Sequence, residues 1–166
     1  NFALFCQMTE QEQAEKTYHN ILNLVWEFLT VKGAKINFEN QLEKLEEIIP
    51  DVNDYDFFGV VPALDACEAL GELLHAVIAG ETLEKAIQIS QISLGTVCSL
   101  IETQENRDLS ESELKSREEI EEELDLQWQI YRLLKDCEKR DVDLILSLRE
   151  EIKQEGISNI GIKIEQ

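Results

Sequence analysis

Between Ala14 and Ile152 the apolar residues recur, segment after segment, at steps of three and four. Ala14, Tyr18, Ile21, Leu22, Val25, Phe28 and Leu29 make the first stripe. A spacing of three and four places side chains on one face of an α-helix, where an alternating pattern would argue for strands. Breakers are scarce: two prolines and seven glycines in 166 residues, too few for a turn-rich β fold. The spacing therefore predicts an all-α chain, a bundle of about five main helices, within one domain spanning residues 1–166.

Start and stop signals divide the chain. Thr9-Glu10-Gln11-Glu12 has the form of a capping box ahead of the first long helix, and Gly33 is its expected left-handed cap. Asn37 suits the start of a second helix with the stripe Leu42, Leu45, Ile48 and Ile49, and Pro50 stops it. A third helix is expected from about Phe57 or Pro62 to Ala79, closed by Gly80. Its small residues, Ala63, Ala66, Cys67, Ala69 and Gly71, would let neighbours approach closely and place it near the centre. Thr82 suits the start of a fourth helix, about Leu83 to Gln104. Leu83, Ala86, Ile87, Leu94, Val97, Cys98 and Ile101 form one face, with Ile89, Ile92 and Leu100 off it, so burial on more than one side is expected. Ser110-Glu111-Ser112-Glu113 and Ser116-Arg117-Glu118-Glu119 have capping-box form. Beyond them the stripe Ile120, Leu124, Trp128, Tyr131, Leu134 continues into Leu144, Ile145, Leu148 and Ile152 until Gly156. Unbroken, that helix would run roughly 58 Å, longer than a domain of this size needs, so a break is expected near Lys139-Arg140-Asp141. From Ser158 to Gln166 the period changes to two, with Ile160, Ile162 and Ile164 alternating. That is a strand pattern without a second strand, expected to pair with another chain's tail, pack as an extended arm or stay loose. The apolar start, Asn1-Phe2-Ala3-Leu4-Phe5-Cys6, reads as the end of an earlier helix, so the N-terminal helix is expected to be incomplete.

Charge limits the partners. Thirty-five Asp and Glu face fifteen Lys and Arg, a formal net charge of −20. Such a surface repels nucleic acid and anionic membranes, which leaves a solubilising role, a basic protein partner or hard cations. No segment approaches the ~20 apolar residues of a membrane span, and no secretory leader is visible, so cytoplasm is the expected location. Cys6, Cys67, Cys98 and Cys137 have no zinc, haem or redox spacing and are expected as reduced, buried thiols.

One constellation has metal-ligand character. Asp65, Glu68, Glu72 and His75 follow at steps of three, four and three, on one helical face. Glu72-x-x-His75 is the ligand unit of carboxylate-bridged di-metal bundles, and its donors suit iron, manganese or zinc. A full di-metal site needs a second such unit, and the only other histidine is His19, with Glu15 four residues before it. The candidate metal set is therefore Glu68, Glu72 and His75, with Glu15 and His19 as companions. The competing account is a solvated helix face with His75 favourably near the helix C-terminus. Asp51-Val52-Asn53-Asp54-Tyr55-Asp56 lacks the glycine and closing glutamate of a calcium loop and reads as a helix–helix turn. Glu118-Glu119, Glu121-Glu122-Glu123 and Asp125 complement a helix N-terminus or offer a docking face for a basic partner. No phosphate-cradling loop and no nucleophile–base spacing is present, so no catalytic residue is assigned.

Several stretches resemble a known family: Trp26-Glu27-Phe28-Leu29-Thr30-Val31-Lys32, Asn37-Phe38, Gln41-Leu42-Glu43-Lys44, Gly59 to Cys67, Gly80-Glu81-Thr82-Leu83-Glu84 and Ser158-Asn159-Ile160-Gly161-Ile162. Together, and in order along nearly the whole chain, they resemble the YjaG-like bacterial family, a domain of unknown function. The resemblance implies an all-helical cytoplasmic protein with a further helical segment upstream. It also implies a link to histidine-kinase signalling, and it supplies no catalytic residues. The functional expectation is a non-enzymatic interaction or accessory protein with an unidentified protein partner, or a homodimer through the last helix or tail. A metal-binding bundle enzyme or carrier is the alternative.

Overall fold

The structure, a computed structural model, describes residues 1–163. Its described residues form eight α-helices: α1 (Phe2–Met8), α2 (Glu12–Thr30), α3 (Phe38–Glu46), α4 (Val60–Ala79), α5 (Thr82–Glu105), α6 (Glu111–Leu114), α7 (Glu118–Leu134) and α8 (Val142–Glu155). The chain is all-α as expected. The count exceeds five because the last helix divides and two short helices, α1 and α6, are added. Contacts gather into two compact units, Asn1–Ile89 and Ser90–Gln166.

In the first unit α4 packs against α1 and α3, and α2 packs against both of those. The small-residue rule worked here. Ala63 and Leu74 are fully buried and Cys67 nearly so, and a Cβ on Gly71 would meet Leu45 of α3 at ordinary van der Waals distance. Phe2, Phe5, Ile21, Val25, Phe38 and Leu70 fill the same core. Aromatic rings tie its parts together: Phe2 to Tyr18 at 4.7 Å between centroids, Phe5 to Tyr55 edge-on at 4.9 Å, and Phe28 to Phe38 edge-on at 5.3 Å. Asn37 caps α3, its side chain accepting from the Asn40 amide at 3.0 Å. Residues 51–56 form a turn with a single 3-10 turn at Val52–Asp54, where Asn53 donates both its backbone and its side-chain amide to Asp51 Oδ1. Gly80 ends α4 at φ +75°, a conformation costly for any residue with a Cβ.

Two expected signals of this unit are not used. Thr9 does not cap α2: its Oγ1 donates to the Phe5 carbonyl at 2.8 Å and so finishes α1 instead. A threonine hydroxyl can bond back to the turn before it as readily as forward, and α1 supplies that turn. Gly33 lies three residues past the end of α2, whose C-cap is Val31. The first turns of α5 also depart from expectation. Leu83 is 75% exposed and Ile87 51%, so the predicted α5 face is buried only further along, at Val97 and Ile101.

The second unit is built on Val97, Ile101, Leu109 and Ile120, with Leu94, Cys98, Leu114 and Ile160 against them. The Ser110 capping box is formed as read, with Ser110 and Glu113 each bonding the other's amide. The Ser116 box is not. Ser116 Oγ donates to the Glu113 carbonyl at 2.7 Å, and Arg117 takes the N-cap position of α7, its side chain making no capping bond. Arg117 and Arg107 both pair with Glu105, and Arg107 also reaches Glu113 at 2.9 Å, clamping the loop. The long stripe breaks as expected: α7 ends at Leu134, and Asp141 Oδ1 accepts from the Leu144 amide at 3.0 Å to start α8. Cys137, expected buried, is exposed in this break.

The tail is the clearest correction. It folds back on itself: Ile157 forms an antiparallel bridge with Lys163, and the Ser158 amide donates to the Ile162 carbonyl at 2.9 Å. Ser158 to Gly161 is a tight turn closed by the Gly161 amide on the Ser158 carbonyl, and Gly161 takes φ +75°. A glycine at that position lets an alternating segment reverse and find its partner within itself. Ile164 lies outside the described residues.

Candidate functional site

The α4 face carries Asp65, Glu68, Glu72 and His75 along one side, as their spacing requires. Glu68 and His75 are exposed and Asp65 is half-buried. The Glu72 carboxylate is met by Lys85, Nζ to Oε2 at 2.6 Å, and this carboxylate raises the Lys85 pKa. Glu15 and His19 lie together on α2, with His19 Nε2 3.9 Å from Glu15 Oε1. Gln7 also reaches Glu15, at 3.4 Å. Among the described residues no three His, Cys, Asp or Glu side chains converge on a point that could hold a metal ion. The five candidate ligands thus lie as a row on α4 and a pair on α2.

Polar chemistry of a different kind sits in the second unit. Most of the acidic run opening α7 is exposed, but Glu123 is 6% exposed and faces inward. Its Oε1 accepts from Gln127 Nε2 at 2.7 Å, and Gln127 Oε1 accepts from Ser90 Oγ at 2.5 Å. Sequence reading counted Glu123 with the solvated run. The signal was its place three residues after Ile120, on the buried side of the helix. Beside it runs a groove of about 790 Å³, formed by α5, α7 and the Ser158–Gly161 turn. Leu100, Leu126, Ile157 and Ile160 are among its apolar lining, and Glu119, Glu122, Asp125 and Glu155 join Glu123 as its carboxylates.

A second surface of the same unit is apolar. Trp128 is 54% and Tyr131 56% exposed, with rings edge-on at 5.5 Å, and the Arg132 guanidinium lies 5.8 Å over the indole. Leu133 and Leu134 are exposed beside them in sequence, and α8 leaves Leu146 and Ile152 exposed while half-burying Leu144, Ile145 and Leu148.

Among the nucleophiles, Cys6 and Cys67 are buried, and desolvation pushes their thiols up to about 11 and about 12. Burial raises the Tyr18 phenol too, and its Oη donates to the Ala66 carbonyl at 3.0 Å. Thiols held protonated in an apolar core are poor nucleophiles.

Comparison with known proteins bears on all of these residues. The family model described as "Protein of unknown function (DUF416)" matches residues 1–163. An uncharacterized protein of Haemophilus influenzae is 72% identical over the whole chain, which spans 85% of that protein. The uncharacterized protein YjaG of Escherichia coli is 51% identical over the whole chain, which spans 84% of it. Among solved structures, a DUF416 family protein from Shewanella baltica superposes with a TM-score of 0.88 at 32% identity, over 98% of this chain and 85% of that one. No helix among the described residues is long and apolar enough to cross a membrane. The all-helical architecture, the Ser158–Gly161 turn and the α4 row are therefore features of a chain that belongs to the DUF416 family.

Proposed function

We propose that this chain is a non-enzymatic interaction or accessory protein, acting in the cytoplasm through the exposed face of α7 and α8. The observation that carries this reading is α8, which over fourteen residues leaves Leu146 and Ile152 exposed and only half-buries Leu144, Ile145 and Leu148. A helix of that length is marginal by itself in water and takes most of its stability from packing. The apolar surface it leaves open is best accounted for as a surface that another chain covers. The neighbouring Trp128 and Tyr131 are of the residue types that dominate binding energy at protein interfaces. A net charge of −20 favours a protein over nucleic acid or a membrane. The histidine-kinase association implied by the family resemblance makes kinase cytoplasmic regions the first partners to try.

The test is a co-purification from native lysate with the unaltered chain and with Trp128→Ala/Tyr131→Ala. A reproducible partner lost on the double substitution supports the reading. Equal recovery with both chains, or recovery with neither, counts against it. Pairing of α8 with a second copy is the remaining use of the same stripe, and sedimentation equilibrium at micromolar concentration would give twice the 19.1 kDa chain mass.

A further inference from the structure

The groove beside α7 is unlike the rest of the acidic surface. Nearby carboxylates have cations: Glu105 and Glu113 are met by Arg107 and Arg117, and Glu111 by Lys115. Among the described residues no Lys or Arg pairs with Glu119, Glu122, Asp125 or Glu155, and none lines the groove. Like charges gathered around apolar surface repel one another, and a cationic occupant would relieve that repulsion while covering Leu100, Leu126 and Ile160. The groove follows α7 from Glu119 to Gln129, which at ~1.5 Å per residue is roughly 15 Å, about three helical turns. A second copy carries 35 acidic side chains against 15 basic ones and is the wrong sign for this site. A metal ion alone would leave the apolar lining uncovered.

We propose that this groove receives a cationic amphipathic helix of about three turns from a partner protein, leucine-type side chains inward and Lys or Arg toward the rim. The proposal rests on the reading of the chain as an interaction protein and names its partner's chemistry. It uses a different side of α7 from Trp128, which at ~100° per residue lies roughly 180° around the helix from Glu119 and roughly 160° from Leu126.

The experiment is fluorescence anisotropy with the full 166-residue chain and a labelled 16-residue peptide bearing leucines at steps of three and four and lysines elsewhere. The controls are a scrambled peptide of equal charge and a peptide with glutamates replacing the lysines. We expect saturable binding of the first peptide only. It should be weakened about tenfold or more by Glu119→Lys/Glu122→Lys, less by Glu119→Gln/Glu122→Gln, and not at all by Trp128→Ala/Tyr131→Ala. Circular dichroism confirms that each variant stays helical, and the glutamine pair keeps the test open if the lysine pair does not fold. Equal binding of the scrambled peptide, or binding indifferent to both groove variants, overturns the proposal. A chain that captures its cellular partner through Trp128 yet ignores the peptide overturns the groove and leaves the interaction reading standing. A chain that binds the peptide as expected and captures no partner supports the groove and overturns the role of the α7–α8 face.

Discussion

Lys85 sets its Nζ 2.6 Å from Oε2 of Glu72, so the central carboxylate of the Glu-x-x-His unit already has a cation. Both side chains are about one-fifth exposed, and the ammonium joins α5 to α4 across the turn that Gly80 makes.

A metal ion would have to displace that ammonium. The unaltered chain is expected to give no zinc or manganese binding heat in calorimetry. Lys85→Ala, which frees Glu72 beside exposed His75, is expected to gain weak binding that Glu72→Gln abolishes. Uptake near one equivalent by the unaltered chain would show that the ammonium yields and that the α4 row is a metal site.

Burial separates two leucines. Leu74 is fully buried and Leu83 is 75% exposed. Leu74→Ala is expected to cost about 2–5 kcal/mol in urea denaturation, through lost transfer energy and a cavity. Leu83→Ala should stay within about 0.5 kcal/mol. Similar midpoints for both variants would contradict the packing described here.

The thiols should react in an order set by exposure. Cys137 is exposed, whereas Cys6 and Cys67 are buried with pKa values pushed up to about 11 and about 12. At pH 8 the folded chain should react quickly with a disulfide reagent at Cys137 and leave Cys6 and Cys67 untouched until denaturant is added. Mass spectrometry of the labelled peptides checks this, and early labelling of Cys67 would refute the α4 burial.

Glu113 gives the chain an acid-sensitive point. Its carboxylate accepts from Ser110 and pairs with Arg107, which lowers its pKa from 4.5 to about 2. A depressed carboxylate pKa contributes stability that is complete above the unfolded value and lost as pH falls through the folded one. The capping box should therefore weaken between pH about 4.5 and about 2, with the α6 amides exchanging faster in that window. Glu113→Gln should remove this dependence. A Glu113 carboxyl resonance titrating near pH 4.5 would be the contrary result.

Much of the fold was legible because helices are local. The α3 start at Asn37, the α4 end at Gly80, the break before Asp141 and the stop at Gly156 all follow from residues within one turn of the event. Signals that admit two uses were misread. Thr9 and Ser116 each bond backward to a preceding turn, and nothing local favours the forward bond until that turn exists. The division between the two units falls inside α5, a continuous helix, where no linker or shift in composition marks it. The candidate site was half legible. Periodicity placed the α4 row correctly, but Lys85 belongs to another helix, and the groove depends on the Ser158–Gly161 turn, which has no helical period to announce it.

The side chain of Asn159 in that turn donates to the Ser93 carbonyl at 3.1 Å and to its hydroxyl at 3.0 Å, sixty-six residues back along the chain. During synthesis the first unit has its whole core available before residue 90 is added, whereas the second cannot tie its turn to α5 until Asn159 has left the ribosome. In the interval Val97 and Ile101 wait without Ile160, the slowest kind of contact to make because its loop is long. The wall that completes the acidic groove is thus the last part of the groove to arrive, and a polypeptide stopped before Asn159 has no groove to offer a partner.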